Sequence, residues 1–415
     1  MTQYDLLIRK TDERESTSGD TDKASCGRWE RSAGYRIECT REGKLNGFGP
    51  VGEDGMIRRY HGSAHGGAHE WTLTRQAGWN RRSYALVPAR ILAGARAFLS
   101  PLGKRDCMYQ NILEAMGHTP LIRLNRLAGP DSAQVLVKYE GLNVGGSIKS
   151  RTALAMLEAA EREGKIGPDT IIVEPTSGNQ GIGLSLVGAV RGYHVVIVMP
   201  DSCSRERMLL MKQYGAEVKL VHDEGNIGEC IERCIATVRQ MAAENPNVFV
   251  PDQFSNPNNP RVQEETTARE ILEQAGDIKI DGYCAGIGTG GTLTGIGHVL
   301  RKANPDMTIW AVEPEKAALL SGGLIGAHIQ MGIGDGLIPD VLDQNVYDDI
   351  AIVTDEEAVE TARRLAKEEG ILCGISGGTN TAAALKLAKK LGPGKTVVTV
   401  LADTGERYFT TPLFG

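Results

Sequence analysis

Ile171-Ile172-Val173-Glu174-Pro175-Thr176-Ser177-Gly178-Asn179-Gln180-Gly181 passes from a β-branched apolar triplet, through a hydroxyl, amide and glycine turn, into a helical run ending near Arg191. A short apolar strand whose carboxyl end opens directly into a helix is the unit of an α/β fold, where ligands gather at the strand ends. The turn brings the Thr176 and Ser177 hydroxyls, the Asn179 amide and free backbone N–H groups to a helix start. That is a ready site for a carboxylate or phosphate. A plain N-cap and tight turn would use the same residues, so this stretch alone leaves both readings open.

The same grammar repeats along the chain. Apolar strands are expected at Val135–Lys138, Ile171–Glu174, Val195–Met199, Val218–Val221, Tyr283–Gly286, Thr308–Val312 and Val397–Leu401. Helical runs are expected at Thr152–Glu163, Gly181–Arg191, Arg205–Tyr214, Ile227–Glu244, Arg261–Gln274, Leu293–Ala303, Asp355–Glu369 and Thr379–Leu391. Alternation of this kind predicts mostly parallel sheets covered by helices. Continuous apolar strands such as Val195-Val196-Ile197-Val198 suit sheets buried on both faces.

Three more glycine-rich turns fall at strand ends. Gly286-Ile287-Gly288-Thr289-Gly290-Gly291-Thr292 lies between a strand and a helix. Its glycines let backbone wrap an anion, and the helix start adds positive potential. No Gly-Lys-Ser/Thr closes it as in a nucleotide loop, and a monophosphate fits it better. Gly374-Ile375-Ser376-Gly377-Gly378-Thr379 and Asp403-Thr404-Gly405-Glu406-Arg407-Tyr408 complete the set. Before all of them stands Lys149, in Gly145-Gly146-Ser147-Ile148-Lys149-Ser150-Arg151-Thr152-Ala153. A lysine at a loop–helix junction is ordinarily a solvated cap. Four strand-end motifs and an amine together outline a phosphate cup, a carboxylate cup and a covalent handle, which is what pyridoxal 5′-phosphate chemistry on an amino acid requires.

Bulk properties narrow the class. With 415 residues, 41% hydrophobic and 24% charged, the chain can build more than one globular core. Lys+Arg exceed Asp+Glu by 18 to 13 in residues 1–107; the remainder holds 28 against 39. An acidic main body argues against a nucleic-acid enzyme. No apolar run reaches the length of a membrane span, and the charged N-terminus argues against a secretory signal. Eight cysteines without a CxxC pair read as reduced thiols, which points to the cytoplasm. His61, His65 and His69 recur every fourth residue, but the glycines among them make a metal-binding helix a weak alternative. Trp29, Trp71 and Trp79 lie in segments without clear periodicity, and Tyr84–Leu99 suits a short amphipathic helix. Residues 1–107 therefore read as an irregular or disordered extension, with Met108 a natural start for the regular α/β region.

The ordered set Gly-Ser-Ile-Lys, Thr-Ser-Gly-Asn, Gly-Thr-Gly-Gly-Thr and Gly-Ile-Ser, with Gly117-His118-Thr119-Pro120-Leu121 at its head, resembles the cysteine synthase and cystathionine β-synthase family of pyridoxal-phosphate enzymes, of fold type II. The resemblance covers about residues 108–415 and is closest to cysteine synthase. It implies two α/β domains: a larger one from 108–142 and 254–415, and a smaller mobile one from 143–253. It implies that Lys149 binds the cofactor covalently and that Asn179 hydrogen-bonds its ring oxygen. Gly288, Thr289, Gly290, Gly291 and Thr292 would hold its phosphate, and Ser376 would face the pyridine nitrogen. Thr176, Ser177, Asn179 and Gln180, with Gln253, would grip the substrate carboxylate.

The implied reaction is β-replacement on an activated serine: O-acetylserine and sulfide giving cysteine and acetate through an aminoacrylate. Alternatives within the resemblance are 2,3-diaminopropionate or cystathionine synthesis, and a non-catalytic scaffold. A homodimer is implied, as is a serine acetyltransferase C-terminal peptide as a partner of the cleft. The sequence after Tyr408 is short, which favours a member without a C-terminal regulatory module. Haem ligation by Cys26, Cys39 and His65 has only loose analogy behind it. Four departures from the family pattern matter: Ser150 for Asp, Gln180 for Thr, Gln263 for His with Ala268-Arg269 for Gly-Pro, and Asp335 for Ala in Gly332-Ile333-Gly334-Asp335-Gly336. Asp335 is therefore a candidate for selecting the substrate by charge.

Overall fold

The computed structural model describes residues 108–415 except Ser177 and Leu324, together with the backbone of six short strands before them. Those strands are Arg9–Lys10, Cys26–Glu30, Arg36–Cys39, Lys44–Phe48, Arg59–Ser63 and Thr72–Thr74, and each pairs antiparallel with the next. Trp29 and His61 fall within them. Cys26 and Cys39 are register partners. His65, His69, Trp71, Trp79 and the run Tyr84–Leu99 lie outside the described residues. The chain divides into two compact units between Met108 and Tyr109.

The second unit holds two sheets. In chain order its strands are β1 Leu121–Arg123, β2 Gln134–Tyr139, β3 Ile171–Pro175, β4 His194–Pro200, β5 Glu217–Val221, β6 Val248–Phe249, β7 Gly282–Gly286, β8 Thr308–Pro314, β9 Asp349–Val353 and β10 Thr396–Leu401. The larger sheet runs β9-β8-β7-β10-β2-β1, parallel throughout except for the antiparallel β1–β2 pair. The smaller runs β5-β4-β3-β6, all parallel. Three strands escape the sequence pattern: β1, β6 and β9.

Helices cover these sheets: α1 Lys149–Arg162, α2 Asn179–Arg191, α3 Arg205–Gln213, α4 Ile227–Glu244, α5 Asn258–Val262, α6 Ala268–Ala275, α7 Gly291–Ala303, α8 Asp355–Arg364 and α9 Ile375–Leu391. Their ends obey local chemistry. The Asn226 side chain accepts from Glu229 N at the start of α4, and Thr354 with Glu357 forms a capping box on α8. Between α5 and α6 the chain widens into a π turn, Gln263–Thr267.

The strands are apolar because both faces are covered. Val135, Val137, Ile172, Val173, Ile197, Val198, Val397, Val398 and Val400 have no exposed surface. Each such side chain contributes about 1.5–3 kcal/mol on burial. Separate apolar clusters form about the larger and the smaller sheet. The strand ends of both open onto one cleft.

Candidate active site

The cleft encloses about 820 Å³ of space, part of it open to solvent. Its lining includes Lys149, Thr176, Asn179, Gln180, Gln253, Gly288, Thr289, Gly290, Thr292, Asp335 and Ser376. These residues come from six separate turns and span more than two hundred positions of sequence. Gly291 stands just behind the lining as the first residue of α7. Ser177 lies outside the described residues.

Lys149 is the first residue of α1. Gly145 and Gly146, at φ 74° and 69°, make the left-handed turn that delivers it. Its Nζ donates to Thr289 Oγ1 at 3.2 Å. Desolvation pulls the amine below its usual pKa, and the carboxylates of Asp335 and Glu174 partly oppose this. The outcome is an amine with a larger neutral fraction than a solvated lysine, as a nucleophile and base needs.

The base of α1 is held by a buried ion cluster. Arg151 Nε and Nη2 donate to the two oxygens of Glu140, each at 2.9 Å. Arg151 Nη1 and Nη2 donate to Glu270 at 2.6 and 2.9 Å. Lys138 Nζ also reaches Glu270, at 2.7 Å. Burial alone would raise the Glu270 pKa, but Arg151 and Lys138 overcome it and hold it at about 2. Two carboxylates, an arginine and a lysine thus fix the helix that starts with Lys149.

Opposite Lys149, Gly288–Thr292 forms the glycine cup at the start of α7, whose first N–H groups have no intrahelical partner. Gly290 takes φ 78°, and a Cβ there would lie 2.7 Å from Leu342 Cβ. A Cβ on Gly291 would lie 2.1 Å from Asn259 Oδ1. Asn259 Nδ2 donates both to Thr289 Oγ1, at 2.9 Å, and to the Gln253 carbonyl, at 2.8 Å. The Thr289 hydroxyl thus accepts twice, from Lys149 and Asn259, and its own proton remains for an anion in the cup. Helix start, side-chain-free backbone and a donor hydroxyl fit a phosphate monoester.

Gln253 reaches the cleft through a strained turn. Asp252 has φ 55°, which non-glycine residues seldom adopt. The buried Glu174 carboxyl holds that turn, accepting from Asp252 N at 2.9 Å and Gln253 N at 3.0 Å. Burial raises the Glu174 pKa to about 8 despite those bonds. In the sequence Glu174 passes as an ordinary strand residue; a lone acid in an apolar strand is the signal it leaves there.

Two of the four departures face the cleft. Gln180 is buried; its Nε2 makes only a weak 4.0 Å contact with Met156 Sδ, and its Oε1 has no partner. Asp335 sits on a loop whose Gly334 carbonyl is 3.0 Å from His328 Nε2. Burial raises its pKa, and Lys149, His328 and Arg207 oppose this. The other two serve packing. Gln263 is buried, donating to Thr152 Oγ1 at 3.3 Å and accepting from Thr267 Oγ1 at 2.7 Å. Ser150 lies against Gly145, where a Cβ would be 2.5 Å from its Oγ.

Ser376 enters from the first turn of α9, buried and in the lining, with a neutral hydroxyl. Behind it, Asn380 ties the sheet together. It accepts from Gly286 N at 2.7 Å and donates to Val400 O at 2.7 Å. Asn259, Asn380 and Arg207 also line or brace the cleft and were missed in the sequence.

Such a cleft, with a desolvated lysine facing a phosphate cup, is that of a fold type II pyridoxal-phosphate enzyme. Residues 112–403 match the family described as pyridoxal-phosphate dependent enzyme, and the chain belongs to it. It is of the cysteine synthase type. A cysteine synthase of Staphylococcus aureus is 49% identical over 304 residues, covering 73% of this chain and 96% of that protein. The solved structure of an O-ureido-L-serine synthase superposes with TM-score 0.70 at 41% identity, covering 74% of this chain and 95% of that one. An O-acetylserine dependent cystathionine beta-synthase from Helicobacter pylori gives TM-score 0.69 at 33% identity, covering 74% and 99%. The cofactor is pyridoxal 5′-phosphate.

Proposed function

We propose that this chain makes cysteine from O-acetylserine and sulfide by β-replacement, releasing acetate. The observation that carries the reading is the desolvated Lys149 amine facing the glycine cup, with the amide side chains of Asn179, Gln180 and Gln253 on the same cleft. The bound cofactor supplies an aldehyde for amines and a ring that stabilises negative charge at the substrate α-carbon. Lys149 would hold the cofactor covalently, and its Nζ, when free of it, would take the substrate α-proton. Acetate leaves Cβ, sulfide adds there, and Lys149 returns the proton to the α-carbon. Thr176, Gln180 and Gln253, with the backbone N–H of Asn179 at the helix start and the neighbouring Ser177, hold the substrate carboxylate. Ser376 offers the ring nitrogen a hydroxyl in place of a carboxylate. No anion then retains a proton on that nitrogen, which favours elimination at Cβ over transamination.

The smaller sheet lies wholly within residues 143–253 and the strands of the larger sheet lie outside it. This supports closure of that segment over the substrate, which would exclude water. The same proposal includes a cytoplasmic homodimer, checked by light scattering, and capture of a serine acetyltransferase C-terminal peptide at the cleft, checked by titration with that peptide. The decisive experiment is spectral titration of the holoenzyme with O-acetylserine. The visible cofactor band should give way to a new one that sulfide reverses, with one cysteine and one acetate released per turnover. An unchanged spectrum with O-acetylserine, alongside a change with another activated serine, would reassign the donor. Reversal by homocysteine or an amine in place of sulfide would reassign the nucleophile.

A further inference from the structure

The Asp403–Tyr408 turn has no place in the reaction just described, yet it touches three of the cleft's turns. Thr404 N donates to Gly146 O at 3.3 Å in the loop before Lys149, and Arg407 Nη2 donates to Gly145 O. Gly374 N donates to Asp403 O at 3.3 Å, just before Ser376. A Cβ at Gly374 would lie 2.2 Å from Asp403 Oδ1, and one at Gly146 would lie 2.5 Å from Arg407 Nη2. The third contact is to Asn179. Its Nδ2 donates to Asp403 Oδ2 at 2.7 Å, and its Oδ1 accepts from Arg407 Nη1 at 2.6 Å. Asp403 and Arg407 are both buried. Asp403 is held in turn by Tyr408, whose hydroxyl donates to it at 2.7 Å, and lies 3.6 Å from Arg207.

We propose that Asp403 and Arg407 are a positioning pair that fixes which end of the Asn179 amide faces the cleft. The proposal rests on Asn179 meeting the cofactor ring oxygen. An asparagine χ2 is broad and nearly two-fold, so an unclamped amide presents oxygen or nitrogen alike. Here a flip would set the amide oxygen against a carboxylate and the amide N–H₂ against a guanidinium. With Oδ1 committed to Arg407 and one N–H to Asp403, a single N–H is left. Asn179 lines the cleft, so that N–H serves as a donor to the anionic ring oxygen. A free amide would offer an acceptor half the time and repel the same oxygen.

The test is a double-mutant cycle read by equilibrium titration of apoprotein with pyridoxal 5′-phosphate, followed by cofactor fluorescence. Asn179→Ala removes the donor and should weaken binding about ten- to a hundredfold, the worth of one hydrogen bond to a charged group. Arg407→Met should weaken binding by a comparable factor. The double variant should be no weaker than Asn179→Ala alone to within about twofold, because Arg407 acts through Asn179. The visible band of Arg407→Met should shift in the direction that Asn179→Ala shifts it. If Asn179→Ala binds like wild type, the role of Asn179 itself is wrong. If Asn179→Ala weakens binding but Arg407→Met does not, or the two losses multiply, Asn179 keeps its role and the positioning pair is refuted. Should Arg407→Met fail to fold, Arg407→Lys replaces it. A lysine keeps the charge but cannot serve Asn179 and Gly145 O together, so an intermediate loss is expected and wild-type affinity refutes the pair.

Discussion

Replacing Arg151 with methionine keeps most of the volume and removes the charge that makes the Glu140–Glu270 cluster tolerable. The guanidinium makes four hydrogen bonds of 2.6–2.9 Å to the two carboxylates. Without it, Glu270 keeps Lys138, and Glu140 keeps only the Thr119 hydroxyl and the Asn143 amide. Breaking a buried ion cluster by removing one partner costs about 3–5 kcal/mol. At ~2 cal/mol/K per residue, an unfolding unit of roughly 300 residues loses about 1.6 °C of midpoint per kcal/mol, so the fall should be about 5–8 °C.

The pH dependence gives the sharper check. In the native protein Glu270 is held at about 2, so its contribution is complete above the ordinary carboxylate pKa of 4.5 and fades only as the pH falls toward 2. In Arg151→Met the Glu270 carboxyl keeps Lys138 but loses the larger of its two opposing partners, so its pKa rises from about 2 toward the ordinary value. The wild-type advantage from Glu270 then fades as the pH falls below 4.5 toward 2, so the deficit should hold from pH 7 to about pH 5 and shrink from there to about pH 3. Thermal melts of both holoenzymes by circular dichroism, at equal excess cofactor, measure this. A fall of less than about 1 °C at pH 7, or a deficit that grows on acidification, would refute the reasoning. Arg151→Lys, which keeps the charge but not the fork, should recover about half.

Lys149→Ala should end turnover and abolish covalent attachment of the cofactor by borohydride; labelled protein of unchanged yield would remove Lys149 from its role. Asp335→Asn removes a carboxylate that raises the Lys149 pKa, so the freed amine should titrate at lower pH and the rising limb of the kcat profile should move to more acid pH. The same variant should lose discrimination against phosphorylated donors by about tenfold or more, measured as the ratio of kcat/KM for O-phosphoserine and O-acetylserine; an unchanged ratio and limb would reduce Asp335 to a loop acid. Gly291→Ala places a methyl 2.1 Å from Asn259 Oδ1 and must displace the amide that braces both Thr289 and Gln253. It should cost about 1–3 kcal/mol of cofactor affinity, or about five- to 150-fold by fluorescence titration, and an affinity within twofold of wild type would show that the cup does not depend on Asn259.

What the sequence made legible was local. Val195–Met199 and Tyr283–Gly286 read as strands because covered parallel strands are unbroken apolar runs, and each cleft turn was visible because glycine and hydroxyl residues follow such a run at once. β6 has two residues, β1 has three, and β9 is a partly exposed edge opening with Asp349, so none shows that texture. The π turn Gln263–Thr267 was hidden because a helix that widens for one turn keeps its apolar stripe. The braces were hidden for a different reason. Asn179 and Asp403 are 224 residues apart, and Arg151 and Glu270 are 119 apart. A residue whose meaning lies in a partner at that distance looks, in its own neighbourhood, like a solvated charge.

That division bears on how the cleft works. Arg207, on α3 of the smaller sheet, donates to Tyr408 Oη at 2.6 Å and packs over its ring, while Glu206 on the same helix accepts from Thr410 N at 3.0 Å. The turn that clamps Asn179 therefore also holds the helix beside it. If residues 143–253 close over substrate, α3 either moves with the Asp403–Thr410 segment or exchanges these bonds for others. The first alternative needs the bonds intact and carries Asn179 along with its clamp, so the amide keeps its orientation through the cycle. The second would release Asp403 in one state and let the amide turn. Asp403 is fully buried, and the desolvation cost of leaving its charge without Arg207 and Tyr408 weighs against the second. Closure that preserves the clamp would then keep α3 and Asn179 fixed to the Asp403–Tyr408 turn, which is itself bonded to Gly374 N, and would bend elsewhere in residues 143–253.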